Sequence, residues 1–114
     1  MRKIFLAHPS DFTKALMNDF AASHNLDCYL WDDFDDFAYL IDDMKPELLI
    51  IHQQISKNYG DKIEQGLAEC KYTDYEVVIL GQNFSNIKAE YKMDAEIETA
   101  NFFEHILKSI LKTH

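Results

Sequence analysis

The chain has 114 residues, which is enough for one domain with one hydrophobic core and too few for two ordinary domains. Hydrophobic residues make up 47% of the chain, and glycine and proline are rare, a composition that excludes disordered and collagen-like proteins. The formal net charge of −9 repels phosphate groups, so neither nucleic acid nor a membrane surface is expected as a direct partner.

Short apolar runs alternate with amphipathic stretches, which is typical of strands and covering helices in an α/β protein. The first half contains the predicted strands KIFLA (3–7), LDCYLW (26–31) and ELLIIH (47–52). Two helices are predicted between them, over residues 11–24 and 35–44. In the first of these helices, Phe12, Leu16 and Phe20 are spaced by four, and this spacing predicts that they form the buried apolar stripe.

The second half of the chain continues the alternation. A third helix is expected to begin near Gly60 and Asp61, because Ile63, Leu67 and Cys70 follow at helical spacing. After it come the predicted strand EVVILG (76–81), a weakly helical segment (83–92), the predicted strand AEIET (95–99) and an amphipathic helix (102–111).

Five strands and five helices in strict alternation predict a single (βα)₅ domain over residues 1–114. Right-handed crossovers restrict such a chain to a few doubly wound parallel sheets. Among these we expect the flavodoxin-like strand order 2-1-3-4-5. Because no apolar run approaches the roughly 18 residues of a membrane span, a cytoplasmic location is expected.

Four stretches of the chain resemble one family. They are KIFLAHPSD, PELLIIH, VVILG and MDAEIETANF, and their spacing is similar to that of the receiver domain of two-component response regulators. Receivers have an acidic pair after the first strand, a phosphoacceptor Asp at the end of the third, and Ser or Thr after the fourth. They also have an aromatic residue in the fifth strand and a Lys-Pro pair just after it.

The residues of this chain differ from the receiver pattern at each of those positions. His8 and Pro9 occupy the position of the acidic pair, and His52 occupies that of the phosphoacceptor. Gly81 replaces the Ser or Thr, Ile97 replaces the aromatic residue, and Ala100 with Asn101 replaces the Lys-Pro pair. Phosphoryl transfer depends on electrostatic groups that none of these residues provides. The resemblance therefore implies a degenerate pseudo-receiver, which is not an enzyme and needs no cofactor.

His8 and His52 should lie close together, because strands one and three are neighbours in the expected order. One interpretation is a transition-metal or proton-sensing pair, with Asp11 or Asp33 as a further ligand. A second is that the two rings fill the space left by the missing acidic pocket, with their hydrogen bonds satisfied. A third is phosphorylation of His52 itself.

Two other groups of residues receive ordinary structural interpretations. The acidic cluster Asp32, Asp33, Asp35 and Asp36 follows the second strand, and a charged run of this kind is usually solvated. The cysteines Cys28 and Cys70 lack metal or redox spacing, which favours reduced, buried thiols over the alternative of a disulfide between them.

Three residues are candidates for a partner surface, because the family commonly meets its partners on this part of the fold: Phe84, Ile87 and Tyr91. The function expected from the sequence is phosphorylation-independent protein–protein interaction in signalling or regulation. The partner is another protein or a second copy of the chain. The alternative is a ligand- or metal-responsive sensor that uses the pocket of His8 and His52.

Overall fold

The computed structural model describes residues 2–105, which form one parallel sheet with helices on both faces. Its strands are β1 (Arg2–Ala7), β2 (Leu26–Leu30), β3 (Leu48–His52), β4 (Glu76–Leu80) and β5 (Tyr91–Met93). Their order is β2-β1-β3-β4-β5, and every neighbouring pair is parallel. The predicted flavodoxin-like sheet is therefore confirmed.

Four helices are present among the described residues. They are α1 (Asp11–Ser23), α2 (Phe37–Met44), α3 (Gln53–Glu69) and α4 (Thr99–His105). The last corresponds to the amphipathic helix predicted over 102–111, whose residues beyond 105 lie outside the described part of the chain. None of these helices has the length and apolar character needed to cross a bilayer, within residues 2–105.

The core has two layers, because successive side chains of a strand point to opposite faces of the sheet. Ile4, Leu6 and Ile50 pack on one face with α1 and α4 residues such as Met17 and Phe102. The opposite face is built from the intervening strand positions and the apolar residues of α2, α3 and the loops, including Phe5, Leu49, Trp31, Phe37 and Ile63. Both faces of β1 and β3 are buried, as their unbroken apolar runs predict.

The buried stripe of α1 differs from the predicted one. Met17 and Ala21 face the core, whereas Phe12 and Leu16 are 78% and 38% exposed and Phe20 is half-buried. Met17 and Ala21 are themselves four residues apart, so spacing alone could not decide between the two stripes. The consequence is an apolar surface on α1 that the core does not cover.

Helix α3 begins at Gln53, directly after His52 and well before the start predicted near Gly60 and Asp61. Gly60 lies inside this helix and is buried, and a Cβ there would be 2.7 Å from the Ser85 Cβ. The weakly helical segment predicted over 83–92 is not a helix: residues 83–90 form an irregular loop, and β5 begins at Tyr91. Asn83 and Ser85 hydrogen-bond this loop internally, with Asn83 Nδ2 donating to the Ile87 carbonyl at 2.8 Å.

The fifth strand was also predicted at the wrong residues. Strand β5 is formed by Tyr91–Met93, and AEIET (95–99) contains a turn and the start of α4 instead. The Asp94 Oδ1 accepts a hydrogen bond from the Glu96 backbone N–H at 2.9 Å, an Asx turn that ends the strand.

Because β5 has only three residues, it pairs with the second half of β4 alone. Glu90 extends the pairing by one residue: its backbone N–H donates to the Val77 carbonyl, and its carboxylate accepts from the Val77 N–H at 2.7 Å. The side chain of Glu90 therefore replaces a backbone acceptor that a longer strand would have supplied.

Asp42 joins α2 to the loop after α3. Its Oδ1 accepts hydrogen bonds from the backbone N–H groups of Lys71 and Tyr72, each at 2.8 Å. We expect Asp42→Ala to lower the free energy of unfolding by about 1 to 2 kcal/mol, because two donors lose a charged acceptor. Urea denaturation measures this, and exposed Asp43→Ala is the control, with an expected change within about 0.5 kcal/mol. Equal effects of the two substitutions would contradict this role.

Candidate functional site

The candidate site lies at the carboxyl ends of β1, β3 and β4, where open α/β sheets usually bind ligands. Ala7 of β1 pairs with Ile51 of β3, so the residues that follow them, His8 and His52, stand side by side. Their ring centroids are 4.4 Å apart and the rings are tilted by 56°. The structure thus brings together the two histidines that the sequence predicts to be close.

Both histidines accept a hydrogen bond from the backbone two residues further along the chain. The Ser10 N–H donates to His8 Nδ1 and the Gln54 N–H donates to His52 Nδ1, each at 3.0 Å. His52 in this way caps the first turn of α3, a role usually taken by Asn, Asp or Ser. Because Nδ1 is the acceptor, the proton of each neutral ring is on Nε2.

The surroundings keep both rings neutral. Burial, together with the smaller effects of the neighbouring His52 and Lys14, lowers the pKa of His8 to about 4. Burial also lowers the pKa of His52, although the carboxylate of Glu96 opposes this shift. A protonated ring would have to place a hydrogen on Nδ1, where a backbone N–H already points. The capping hydrogen bonds and the neutral state therefore depend on each other.

The position after β4 is closed by a side chain of α3. Gly81 has a φ of +91°, and the carboxamide Oε1 of Gln53 accepts a hydrogen bond from the Gln82 N–H at 3.0 Å. A Cβ on residue 81 would be 2.7 Å from Gln53 Cδ and 3.0 Å from the Ala95 Cβ. A Ser or Thr at this position would therefore meet both backbone strain and a steric clash.

The metal interpretation of the His8 and His52 pair finds no support in this geometry. Within residues 2–105, no group of three or more His, Cys, Asp or Glu is placed to hold a metal ion, so Asp11 and Asp33 do not complete a site. In each neutral ring the nitrogen that could bind a metal is the unprotonated Nδ1, and it already accepts a hydrogen bond from a backbone N–H. Protonated Nε2 atoms are neither metal ligands nor nucleophiles, and this also argues against phosphorylation of His52.

The acidic cluster after β2 is exposed and is used in surface interactions. Asp32 forms an ion pair with Lys14 at 2.7 Å, and Asp35 forms one with Lys62 at 2.5 Å. The hydrogen bond from Lys14 to Asp32 raises the pKa of that lysine. The expected solvated role of the cluster is consistent with these contacts.

The two cysteines are free thiols, as the sequence favours, but only Cys70 is buried and Cys28 is half-buried. Burial raises the pKa of Cys28 to about 12 and also raises that of Cys70. Neither is therefore suited to act as a nucleophile at neutral pH.

The corrected position of β5 changes which residues correspond to the last elements of the receiver pattern. Tyr91 is the aromatic residue of the fifth strand. Asp94 and Ala95 directly follow that strand, at the position where receivers have Lys-Pro. Ile97 and Ala100, predicted for these positions, lie in the β5–α4 connection and in the first turn of α4. An acidic side chain thus stands where a cation would be needed.

The predicted partner surface is only partly exposed. Phe84 is 48% exposed, with the Lys57 Nζ 5.7 Å from its ring centroid. Ile87 is 4% exposed and belongs to the core layer that contains Phe37, whereas Tyr91 is partly buried against the layer on the opposite face of the sheet. Phe84 and Ile87 lie in a loop and Tyr91 lies in β5, so the three residues do not share a helical face.

Two features of the site were missed by sequence reasoning. Gln53 was not singled out, because a glutamine after a strand has no distinctive pattern. The exposed Phe12 and Leu16 were assigned to the core. Their only visible signal was the alternative stripe of Met17 and Ala21 on the same helix.

Comparison with known proteins supports the fold. No protein-family model matches the chain, and no curated protein sequence matches it. Several solved structures, in contrast, are similar to the chain. The signal receiver domain of a protein named as a Luxo repressor from Vibrio parahaemolyticus is 15% identical, with a TM-score of 0.70 and full coverage of both chains.

Two further structures match over nearly their whole length. The amino-terminal domain of the lantibiotic response regulator NsrR is 12% identical, with a TM-score of 0.68 over 93% of this chain and 95% of that one. The pseudo-receiver domain of CikA is 11% identical, with a TM-score of 0.67 over 94% and 95%. The chain therefore has the receiver fold, which it shares with both receiver and pseudo-receiver domains.

Proposed function

We propose that residues 1–114 form one receiver-like domain, which acts in cytoplasmic signalling or regulation through protein contacts that do not depend on phosphorylation, and which is not an enzyme. The observation that carries this proposal is that three backbone N–H groups at the carboxyl edge of the sheet are hydrogen-bonded by the chain's own side chains. They belong to Ser10, Gln54 and Gln82, and their acceptors are His8, His52 and Gln53.

Backbone N–H groups at loop and helix starts are what a phosphoryl group would use as donors. Here side chains already satisfy them, so a bound anion would have to displace an internal acceptor. The histidines that replace carboxylates also provide no negative charge for a hard cation such as Mg²⁺. The backbone N–H groups of this site thus have hydrogen-bond acceptors without a ligand, which supports a domain whose protein contacts do not depend on phosphorylation. One of the similar structures is itself named a pseudo-receiver.

We expect beryllofluoride with Mg²⁺ to leave the amide NMR spectrum of the protein unchanged. A His52→Asp variant is expected to give the same result, because Gln53 still fills the position beside Gly81 and no acidic pair is present to bind Mg²⁺. An active receiver domain serves as the positive control. Shifts at residues 52–54 and 81–82 in the unsubstituted protein would overturn the proposal. Shifts in His52→Asp alone would show that the missing acceptor was the only barrier.

A further inference from the structure

A strip of aromatic side chains lies over α2, α3 and the loop after β4, on the opposite face of the sheet from α1. This aromatic strip consists of Tyr39, Phe34, Tyr59 and Phe84. Tyr39 is 70% exposed, Tyr59 is 41% exposed and Phe84 is exposed as well. Phe34 is buried and stacks on Tyr59, with the two ring centroids 4.8 Å apart. Neighbouring large apolar side chains that remain exposed favour a contact surface.

Two depressions that are open to solvent lie along the aromatic strip. The first, of about 370 Å³, is lined by Phe34 and Tyr39, and the second, of about 280 Å³, by Tyr59 and Phe84. Because Phe34 lines the first depression and Tyr59 the second, their stacked rings lie between the two. Lys62 lines both depressions, so they form one continuous surface.

Contacts within the fold hold the aromatic strip in place. The Phe84 N–H donates to the Oγ of the buried Ser56 at 3.0 Å, which fixes the loop after β4 on α3. At the centre of the strip, the ring centroid of Phe34 is 5.0 Å from that of the buried Trp31. A surface that is ordered before binding loses little conformational entropy when a partner binds.

The charges of the two depressions differ. Two exposed carboxylates line the first, Asp36 and Glu69, and neither has a cationic partner in the described part of the chain. The lysine of this depression is already paired with Asp35. In the second depression Lys57 and Asp61 carry opposite charges. The surface is therefore acidic at the end near α2 and close to neutral at the other end.

We infer that the aromatic strip binds an extended, proline-rich segment of a partner protein, with proline side chains in the two depressions and an Arg or Lys side chain beside Asp36 and Glu69. This inference rests on the proposed function and names its surface and partner class. Proline-rich segments adopt a polyproline II helix, in which prolines three residues apart lie on one side about 9 Å from each other. Such helices bind to grooves lined by aromatic side chains. Their backbone carbonyls lack internal hydrogen bonds and can accept from the Tyr39 and Tyr59 hydroxyls.

A second copy of this chain suits the aromatic strip less well. It would bring its own net charge of −9 to a surface that is acidic at one end. The chain also has only two prolines, Pro9 and Pro46, so no segment of it is proline-rich. The charge of the first depression thus favours a different protein with a basic residue beside its prolines.

The test uses the full chain and a synthetic peptide of about 10 residues that has prolines three positions apart, leucine between them and two arginines at one end. We expect saturable amide NMR shifts confined to residues 34–39, 56–62 and 84–85. A peptide with alanine in place of every proline should bind at least about tenfold more weakly, because it is not ordered as a polyproline II helix. A peptide with glutamate in place of arginine should bind roughly fivefold more weakly.

Substitutions of exposed aromatic residues locate the surface. Tyr39→Ser and Phe84→Ser should each weaken binding of the arginine peptide by roughly tenfold. Phe12→Ser is the matched control, because Phe12 is an exposed aromatic residue on α1, and it should change binding by less than about twofold. All three side chains are exposed, so the variants are expected to fold, which circular dichroism would verify.

Paired substitutions of carboxylates separate the local contact from the overall charge. Asp36→Asn with Glu69→Gln should weaken binding of the arginine peptide by roughly fivefold. Asp19→Asn with Asp74→Asn removes the same charge from exposed positions outside the two depressions, and it should weaken binding by less than about twofold.

Five results would overturn the inference: no saturable binding of the arginine peptide, equal binding of the alanine peptide, equal effects of Tyr39→Ser and Phe12→Ser, equal effects of the two carboxylate pairs, or shifts centred on other residues. A concentration-dependent dimer that Phe84→Ser dissociates would overturn it in favour of a second copy. The beryllofluoride experiment does not depend on this surface. If the peptide does not bind while beryllofluoride still has no effect, the proposed function stands with a different surface.

Discussion

Lowering the pH from about 7 to about 4.5 will reduce the free energy of unfolding of this protein by about 2 kcal/mol more than it reduces that of a His8→Asn variant. The reason is that His8 has a pKa of about 4 in the fold and 6.5 as its ordinary value. Between these two pH values the His8 side chain is protonated in the unfolded chain and neutral in the folded protein. The stabilisation is complete above pH 6.5 and is lost as the pH falls towards 4.

Asn is the matched substitution because its side-chain oxygen can accept the Ser10 N–H in an Asx turn, as His8 Nδ1 does. It keeps the hydrogen bond and removes the titration. Urea denaturation at several pH values measures the difference, with fluorescence of Trp31 as the probe, since it is the only tryptophan and is 1% exposed. Carboxylates titrate in both proteins and cancel in the comparison. Parallel stability curves for the two proteins would show that the fold does not depress the pKa of His8.

Gly66→Ala is expected to destabilise the protein by about 2 kcal/mol, although alanine favours a helix by about 1 kcal/mol over glycine. Gly66 lies in α3, and a Cβ there would overlap the Cδ1 and Cε1 atoms of the Phe37 ring. Phe37 cannot move aside easily, because it is 1% exposed and its ring centroid is 4.5 Å from that of Trp31. The steric cost of moving a packed core ring therefore exceeds the gain in helix propensity.

A double-mutant cycle with Phe37→Leu tests the cause of that loss. If the ring is the obstacle, adding Gly66→Ala to Phe37→Leu should cost much less than adding it to the unsubstituted protein. Asp61→Ala, an exposed position of the same helix, should change stability by less than about 0.5 kcal/mol. Additive effects in the cycle would mean that something other than Phe37 limits the space at residue 66.

The order of the sheet and the first four strands could be predicted from the sequence because their signals are strong and local. Each of β1, β3 and β4 contains four consecutive apolar residues, a pattern that is typical of a parallel strand covered on both faces. Strand β5 could not be predicted in the same way. Its three residues YKM form a short edge strand. The segment AEIET has a better alternating pattern, but its first two residues belong to the Asx turn that Asp94 forms with the Glu96 N–H.

The candidate site was predictable in position but not in chemistry. That His8 and His52 would meet follows from the strand order, because His8 directly follows β1 and His52 ends the neighbouring strand β3. Whether they bind a metal depends on which nitrogen carries the proton, and this is decided by the backbone N–H groups of Ser10 and Gln54. Sequence patterns do not encode such contacts, because any residue except proline supplies the same donor.

The short β5 and the carboxylate of Glu90 also limit how another protein can attach to this sheet. Many domains recruit an extended peptide by adding it as a further strand to an exposed sheet edge. On the β5 side, the β4 backbone at Val77 is already hydrogen-bonded to Glu90, and the edge strand offers only three residues. Strand addition at this edge would form few backbone hydrogen bonds, so partners that recognise helices or side chains have the advantage there.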